Sequence, residues 1–153
     1  MMWIIKPYKS VGQLEFNMSP QHIEELIGAP SDIQRGIAHV FTEFRFGKTA
    51  EEIKPSVQYR SGKVTSFEFY DSIPNVELNG FRIFENKKRI VNKWFKENST
   101  NYAENEDTYV FLDFGIAMSK DQTWKYCPSI NVFRYGDYDE LIFNSEYGYT
   151  IVK

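Results

Sequence analysis

Residues 13–30 read QLEFNMSPQHIEELIGAP, and this stretch decides how the first half of the chain folds. Leu14 and Phe16 alternate with polar residues, as in a short strand with one buried face. Ser19 is a favoured N-cap residue, the proline after it suits the first helical position, and the closing Gly-x-Pro would end a helix. The sequence therefore predicts a short strand followed by a helix over residues 19–27.

Three strand-like runs follow this helix, at 40–46, 56–60 and 64–70. Gly62 lies in the short connection between the last two runs, which predicts a hairpin and hence a three-stranded meander. We expect the meander to turn its aromatic side chains inward and its polar ones outward. The polar residues expected on the outer face are Glu43, Arg45, Gln58, Arg60, Thr65 and Glu68.

The second half of the chain repeats this order of elements. Residues 76–84 read as a strand and 85–98 as a helix, and further strand-like runs follow at 108–118, 129–135, 140–143 and 149–152. We predict a single α+β domain over residues 1–153, an antiparallel sheet with two short helices packed on one face. Residues 8–73 and 74–153 are candidates for two degenerate strand-helix-meander halves. The predicted core includes Ile23, Leu26, Phe67, Phe69, Ile90 and Trp94.

The composition fits a protein of a reducing compartment. A chain of 153 residues can bury an ordinary hydrophobic core without cross-links. Cys127 is the single cysteine, so no disulfide can form within the chain. The N-terminal apolar run is shorter than the about 7 to 15 residues of a secretory signal, and no run approaches the about 18 residues of a membrane span. We therefore expect a cytoplasmic protein that does not enter membranes.

Charge is unevenly distributed along the chain. Residues 1–96 carry 14 basic and 11 acidic side chains, whereas residues 97–153 carry 4 basic and 10 acidic ones. Seven of the ten tyrosines lie in the same C-terminal block, so negative charge and amphipathic rings are mixed there. This mixture disfavours nucleic acid as a direct partner and favours a basic protein.

No residue set for catalysis or metal binding stands out. His22 and His39 lie in no nucleophile motif, and neither these histidines nor Cys127 has a second ligand at close spacing. Glycines are scarce and dispersed, and no phosphate-binding loop is recognisable. We predict no catalytic residue, no metal and no cofactor, and a protein that acts by binding instead of catalysis.

The basic residues of the second predicted helix allow two interpretations. Drawn at about 100° per residue, they fall opposite the apolar stripe of the helix, which is typical of a solvated amphipathic face. The basic residues are Lys88, Arg89, Lys93 and Lys96, and the stripe is Ile90, Val91, Trp94 and Phe95. A nucleic-acid-binding module that uses residues 86–97 is the alternative, and it would bind with a strong salt dependence.

The strand, Met-Ser cap, acidic-apolar helix, Gly-x-Pro and hairpin within residues 11–70 form a recurring module. In this the chain resembles immunity proteins of bacterial contact-dependent growth-inhibition and other polymorphic toxin systems. The module is also similar to the helix-plus-meander units of β-lactamase inhibitor proteins and outer-membrane assembly lipoproteins. Because the chain shows neither a lipoprotein signal nor the cysteines and export signal of the secreted inhibitors, the cytoplasmic immunity proteins are the best match. The resemblance implies a protein that binds and neutralises a cognate toxin domain by covering its active or substrate-binding surface.

A nuclease is the toxin that best suits the acidic block, because nucleases hold phosphates on basic surfaces. Two loops that mix tyrosine with carboxylates are the predicted partner-binding sites, since loops on a rigid sheet often carry binding residues. The first loop contributes Tyr102, Glu104, Glu106 and Asp107, and the second contributes Tyr135, Asp137, Tyr138, Asp139 and Glu140. Plain solvated turns are the alternative interpretation of both loops.

A different class of function is a small-molecule binding protein or enzyme. The high aromatic content also suits a pocket between helix and sheet, with Trp3, Trp94 or Trp124 as its walls.

Overall fold

The computed structural model describes residues 1–153 and contains fourteen strands, three α-helices and one 3-10 helix. The strands are β1 Trp3–Lys6, β2 Ser10–Val11, β3 Leu14–Glu15, β4 Asp32–Arg35, β5 Val40–Phe44, β6 Ser56–Arg60, β7 Lys63–Tyr70, β8 Val76–Leu78, β9 Phe81–Arg82, β10 Tyr102–Glu104, β11 Thr108–Phe111, β12 Ile116–Ser119, β13 Ser129–Phe133 and β14 Thr150–Val152. The helices are α1 Pro20–Ile27, α2 Lys88–Glu97 and α3 Asp139–Phe143, and the 3-10 helix is Ser145–Tyr147. The predicted α+β class is confirmed.

The strands form two sheets. The larger has nine strands in the order β14-β10-β11-β12-β13-β7-β6-β5-β4, and all its neighbouring strands are antiparallel. Two four-stranded meanders, β4 to β7 and β10 to β13, meet where β7 pairs with β13. The smaller sheet has five strands in the order β3-β2-β1-β8-β9, with β1 and β8 parallel. Each half of the chain therefore contributes to both sheets, in the order strands, helix, four-stranded meander. Duplication of one ancestral unit stays a prediction.

Hydrophobic clusters cover both faces of the nine-stranded sheet. In β11, Tyr109 and Phe111 belong to a cluster of 25 buried residues, whereas Val110 between them belongs to a separate cluster of five. Because successive side chains of a strand point to opposite faces, the two clusters lie on opposite sides of the sheet. Helices α1 and α2 and the smaller sheet pack on the first face, with Phe95 among the buried residues, and α3 packs on the second through Ile142.

Helix α1 forms as the sequence predicts. The Ser19 hydroxyl accepts a hydrogen bond from the amide of His22 at 3.2 Å, and Pro20 occupies the first turn. Gly28, with φ of 91°, follows the last turn, and its amide donates to the carbonyl of Glu24 at 2.8 Å. These cap contacts join residues that are close in sequence, so the sequence alone indicates both ends of the helix.

Two runs predicted as single strands are hairpins instead. The run 76–84 turns back at Asn79 and Gly80, whose φ angles of 50° and 80° are those of a type I′ turn. The run 108–118 turns back at Gly115, with φ of 65°, where an added Cβ would lie 3.0 Å from a backbone oxygen of β13. Each run was predicted as one continuous strand because apolar residues lie on both sides of its turn.

The strand predicted at 140–143 is wrong, because these residues belong to α3. Asp139 and Glu140 form the first turn of that helix, and Ile142 is its buried residue. Four real strands lie where none was predicted: β1 and β2 in the smaller sheet, β4, which is wholly exposed at the edge of the larger sheet, and β10, which lies inside the first predicted loop. The first meander therefore has four strands instead of three. Strands of two to four residues are too short for hydrophobic periodicity to indicate them, and β4 is polar as well.

A buried charged network replaces part of the predicted outer face. Glu43 and Arg45 are 5% and 4% exposed, and a Glu43 Oε1 to Arg45 Nη2 distance of 3.2 Å joins them. The Tyr59 hydroxyl donates to the same Glu43 oxygen at 2.7 Å, and Arg45 Nε donates to the carbonyl of Gly28 at 2.9 Å. Burial and the bond to Glu43 raise the pKa of Tyr59 well above its ordinary range. The third guanidinium nitrogen of Arg45, Nη1, is buried and has no hydrogen-bond partner.

Strand β5 is thus turned the opposite way to the prediction. Glu43, and Arg45 just after the strand, lie on the α1 side, while Phe44 is partly buried and Phe46 is 66% exposed. Thr65 is also buried, so three of the six residues predicted to face outward are inside the protein. The other three residues reach solvent at least in part: Gln58 and Glu68 are partly buried, and Arg60 is exposed.

The buried face of α2 also differs from the prediction. Val91 and Phe95 are buried as expected, but Lys88 and Asn92 complete the buried face and Ile90 is 39% exposed. The Lys88 ammonium donates to Asn92 Oδ1 at 2.5 Å, and burial lowers the pKa of Lys88. The expectations that Ile90 lies in the core and Lys88 in solvent are therefore wrong. Of the other predicted core residues, Ile23, Phe67 and Phe69 are fully buried, and Leu26 and Trp94 are partly buried.

Candidate protein-binding surface

Residues 134–147 cross the second face of the nine-stranded sheet, between β13 and β14. Ile142 anchors the middle of this crossing segment in the five-residue cluster. At its start, the Tyr138 ring centroid lies 4.1 Å from that of Phe133, and the Tyr138 hydroxyl accepts a hydrogen bond from the Asn131 side chain at 2.7 Å. These contacts hold the segment against the sheet, so its outward side chains project from a backbone that is fixed in place.

The crossing segment begins with the second predicted acidic loop and ends beside the first. Its start lies beside the turn between β11 and β12, where the amide of Phe133 donates to the carbonyl of Gly115 at 2.9 Å. Its far end reaches the turn between β10 and β11, where the Asn105 side chain donates to the carbonyl of Tyr147 at 3.2 Å. Because these two turns lie at opposite ends of β11, the predicted loops flank one surface instead of forming two separate sites.

Exposed acidic and aromatic side chains cover this surface, which we name the acidic strip. Tyr135 and Phe143 are 78% and 77% exposed, unusually high values for large rings. The carboxylates of Asp139, Glu140 and Glu146 form no ion pair within the chain. The strip consists of Glu106, Asp107, Tyr135, Asp139, Glu140, Phe143, Glu146 and Tyr147.

Phe143, Glu146 and Tyr147 were not among the predicted site residues. The sequence predicts a strand at 140–143, in which side chains would alternate between core and solvent, whereas Phe143 ends α3. One local signal was present: Asn144 precedes Ser-Glu-Tyr-Gly, and its side-chain oxygen accepts a hydrogen bond from the Glu146 amide at 3.0 Å. Asn in this position caps a short helix, so the sequence could have indicated that the chain turns here.

Two residues of the second predicted loop are engaged within the chain. The Tyr138 ring packs on the sheet and is only partly accessible. The Asp137 carboxylate accepts from the Arg134 guanidinium at 3.2 Å. Burial, the largest cause, raises the pKa of Asp137, and Arg134 partly offsets this rise. Both residues therefore serve to hold the loop in place.

Two residues of the first predicted loop lie on the other side of the sheet. Tyr102 belongs to β10 and packs on the first face, with its ring centroid 5.5 Å from that of Phe111. Glu104, two residues later, pairs with the Lys120 ammonium at 3.2 Å. Only Ala103 between them points to the second face. Because side chains alternate between the two faces of β10, Tyr102 and Glu104 lie on the opposite side of the sheet from the acidic strip.

Two cavities of about 450 Å³ adjoin the nine-stranded sheet. One lies between the sheet and the crossing segment and is mainly polar, with Gln58, Asn131 and Glu140 among its lining residues. The other lies at the β4–β5 edge and is lined in part by Phe44 and Tyr70. The predicted tryptophan walls are absent from both cavities, since none of Trp3, Trp94 and Trp124 lines either of them.

The residues considered for catalysis or metal binding are dispersed. His22 lies exposed on α1, His39 lies exposed in the turn before β5, and Cys127 is fully buried. No group of three or more histidine, cysteine or carboxylate side chains is arranged to hold a metal ion. None of the helices combines the length and apolar character needed to cross a bilayer.

Comparison with known proteins finds a likeness in structure. No protein family matches the chain, and no curated protein matches it in sequence. The chain is similar to the crystal structure of an extracellular protein containing a SCP domain from Bacillus anthracis str. Ames, with a TM-score of 0.52 and 10% identity. The alignment covers 90% of this chain and 49% of that one, so this chain spans about half the length of the solved protein. At this identity the likeness shows the fold alone.

Proposed function

We propose that this chain is a cytoplasmic immunity protein that binds and neutralises a basic toxin domain, a nuclease, through the acidic strip. One observation supports this above all: unpaired carboxylates lie beside highly exposed rings on a segment that is anchored to a rigid sheet. Exposed rings of this size add little to the stability of the fold and favour association with another molecule. The protein acts by binding and takes no part in chemistry.

The chemistry of the strip suits a nuclease in two respects. A nuclease holds the phosphates of its substrate on a basic surface, and carboxylates can occupy the same surface. Opposite charges also accelerate encounter, to an extent that falls with rising ionic strength. Aromatic rings such as Phe143 and Tyr147 then supply the buried contact area that slows dissociation.

We expect the gene beside this one to encode a protein that ends in a small toxin domain. Producing that domain alone should stop growth, and producing it with the present chain should restore growth. A neighbouring gene of metabolic function, or a toxin domain that still kills in the presence of this chain, would contradict the proposed function.

Charge reversal on the strip is expected to slow association. The triple variant D139K/E140K/E146K should reduce the association rate with the toxin domain about tenfold or more at low salt, because steering is lost. Stopped-flow fluorescence at two salt concentrations measures this rate, with circular dichroism as the check on folding. The variant E24K/E25K/E51K makes the same charge change at exposed sites elsewhere and should behave more like the unaltered protein. Equal rates for the two triple variants would place the interface elsewhere.

Removing the two rings at the middle and end of the strip is expected to speed dissociation. The variant F143A/Y147A should lose about 2 kcal/mol or more of binding free energy, with little change in association rate. Phe46→Ala is a matched control, because this ring is also highly exposed but lies at the β4–β5 edge. Surface plasmon resonance separates the two rates, and an unchanged dissociation rate in F143A/Y147A would exclude these rings from the interface.

A small-molecule binding protein is the second candidate function. The cavity at the β4–β5 edge favours it, since about 450 Å³ lies within the usual range for ligand sites and its lining includes Phe44, Phe46, Ile53 and Tyr70. A bound ligand would raise the melting temperature by mass action. A metabolite that raises it in the unaltered protein, but not in Phe44→Ala, would support this function.

A further inference from the structure

A second charged surface lies on the face of the protein that carries α2, and it is basic. Lys87, Arg89 and Lys125 line a cavity of about 240 Å³ together with Gln122 and Trp124. We name Lys87, Arg89, Trp124, Lys125 and Tyr126 the basic patch. No carboxylate forms an ion pair with any of its three cations.

Backbone contacts hold the loop of the basic patch against the start of α2. The amide of Lys88 donates to the carbonyl of Lys125 at 2.9 Å, and Lys87 forms an isolated antiparallel bridge with Tyr126. Trp124 and Tyr126 remain 55% and 41% exposed, and the Lys125 ammonium lies 5.6 Å from the centroid of the Tyr126 ring. Cations and flat rings are thus placed side by side, although Arg89 and Trp124 lie 35 residues apart in sequence.

The positions of the cations do not serve the stability of α2. Lys87 is the N-cap and forms no side-chain cap bond, and the first turn of the helix contains no acidic residue. The positive end of the helix dipole favours a carboxylate or a Ser, Thr or Asn cap here, so three successive basic residues are unfavourable. The dipole instead adds to the positive potential of Lys87 and Arg89.

We propose that the basic patch binds single-stranded nucleic acid, with the cations on the phosphates and a base stacked on Trp124. Phosphate neutralisation by Lys and Arg supplies the affinity, and stacking on an exposed ring is the mode of contact that single strands allow. This site does not rest on the proposed toxin-binding function, since it uses none of the residues of the acidic strip. It also revises the prediction from sequence, in which the basic residues formed a uniform solvated face: Lys88 is buried, and the aromatic loop lies beside the others.

A labelled oligouridylate of about 12 nucleotides is the probe, with binding followed by fluorescence anisotropy at about 50 mM and 200 mM salt. We expect binding at the lower salt that weakens steeply at the higher. The variant K87Q/R89Q/K125Q should weaken it about tenfold or more and flatten the salt dependence by about 0.7 per lost phosphate contact. K6Q/K9Q/K63Q removes the same charge at exposed lysines elsewhere and should leave most of the binding intact.

Trp124 provides a second readout. Trp124→Ala should weaken binding about tenfold while Trp124→Phe retains most of it, because a ring is kept. Trp3 is buried and Trp94 is partly buried, stacked on Phe81, so quenching of tryptophan emission by the oligonucleotide should fall most in the variant that lacks Trp124. No binding at the lower salt, or equal binding by K87Q/R89Q/K125Q and K6Q/K9Q/K63Q, would overturn the inference. Salt-sensitive self-association abolished by K87Q/R89Q/K125Q, with no oligonucleotide binding, would assign the patch to the acidic strip of a second copy and overturn it equally.

Discussion

Replacing Glu43 with glutamine is expected to lower the free energy of unfolding by about 3 to 5 kcal/mol, since it leaves the buried Arg45 charge uncompensated. Glu43 Oε1 is the common acceptor for the Arg45 guanidinium and the Tyr59 hydroxyl. Arg45 already has one buried nitrogen without a partner, so no neighbouring oxygen is free to take over from the carboxylate. Urea denaturation monitored by circular dichroism measures the loss.

The exposed ion pair between Lys93 and Glu97 is the control for this effect. Its side chains are 74% and 62% exposed, and Glu97→Gln should cost less than about 1 kcal/mol. The double variant E43Q/R45M removes the orphaned charge and should recover part of the stability lost in Glu43→Gln. A Glu43→Gln loss as small as that of Glu97→Gln would mean that the network is hydrated and contributes little.

Truncating Phe95 to alanine is expected to cost about 3 to 5 kcal/mol, through lost burial and the cavity left behind. Phe95 is fully buried on α2, and its ring lies 4.9 Å from that of Phe111 between centroids. Edge contacts to Phe81, Trp94 and Phe114 surround the rest of the ring. Because these four partners come from three separate parts of the chain, the surroundings cannot close easily around a smaller side chain.

Ile90→Ala on the same helix should cost less than about 1 kcal/mol, because Ile90 is 39% exposed and alanine is a better helix former. Ile90→Ala distinguishes the observed buried face of α2 from the one that the sequence predicted, because Phe95 is buried in both and Ile90 only in the predicted one. A loss in Ile90→Ala as large as that in Phe95→Ala would show that the helix is rotated about its axis toward the predicted face.

The sequence predicts the elements whose signals are local. Ser19, Pro20 and Gly28 mark the two ends of α1 within ten residues of sequence, and each acts on backbone groups one turn away. Gly62 likewise marks the tight turn between β6 and β7, because its φ of 74° is open to glycine at no steric cost. The acidic and tyrosine-rich character of the C-terminal block is also a property of the sequence alone.

The face that a side chain occupies depends on the tertiary structure. Glu43 is buried because Tyr59, sixteen residues away, and Arg45, which is held by Gly28, bring hydrogen-bond donors to it. Lys88 is buried because the loop around Lys125 packs over the start of α2. In both cases a polar residue has the periodicity of a solvated face and acquires its partner only when distant segments meet.

The acidic strip has the same origin. Its composition is visible in the sequence, but the sequence does not show that residues 134–147 cross the second face of the sheet and bring the two acidic loops to the ends of one surface. Nor does it show that β10 turns Tyr102 and Glu104 to the first face. A shift of one residue in the pairing of two strands moves every side chain of the shifted strand to the opposite face of the sheet. The face that Tyr102 and Glu104 occupy is therefore determined by how β10 pairs with its neighbours. Charge and aromatic content therefore follow from the sequence by itself, and their arrangement into a surface follows from contacts between segments that are far apart along the chain.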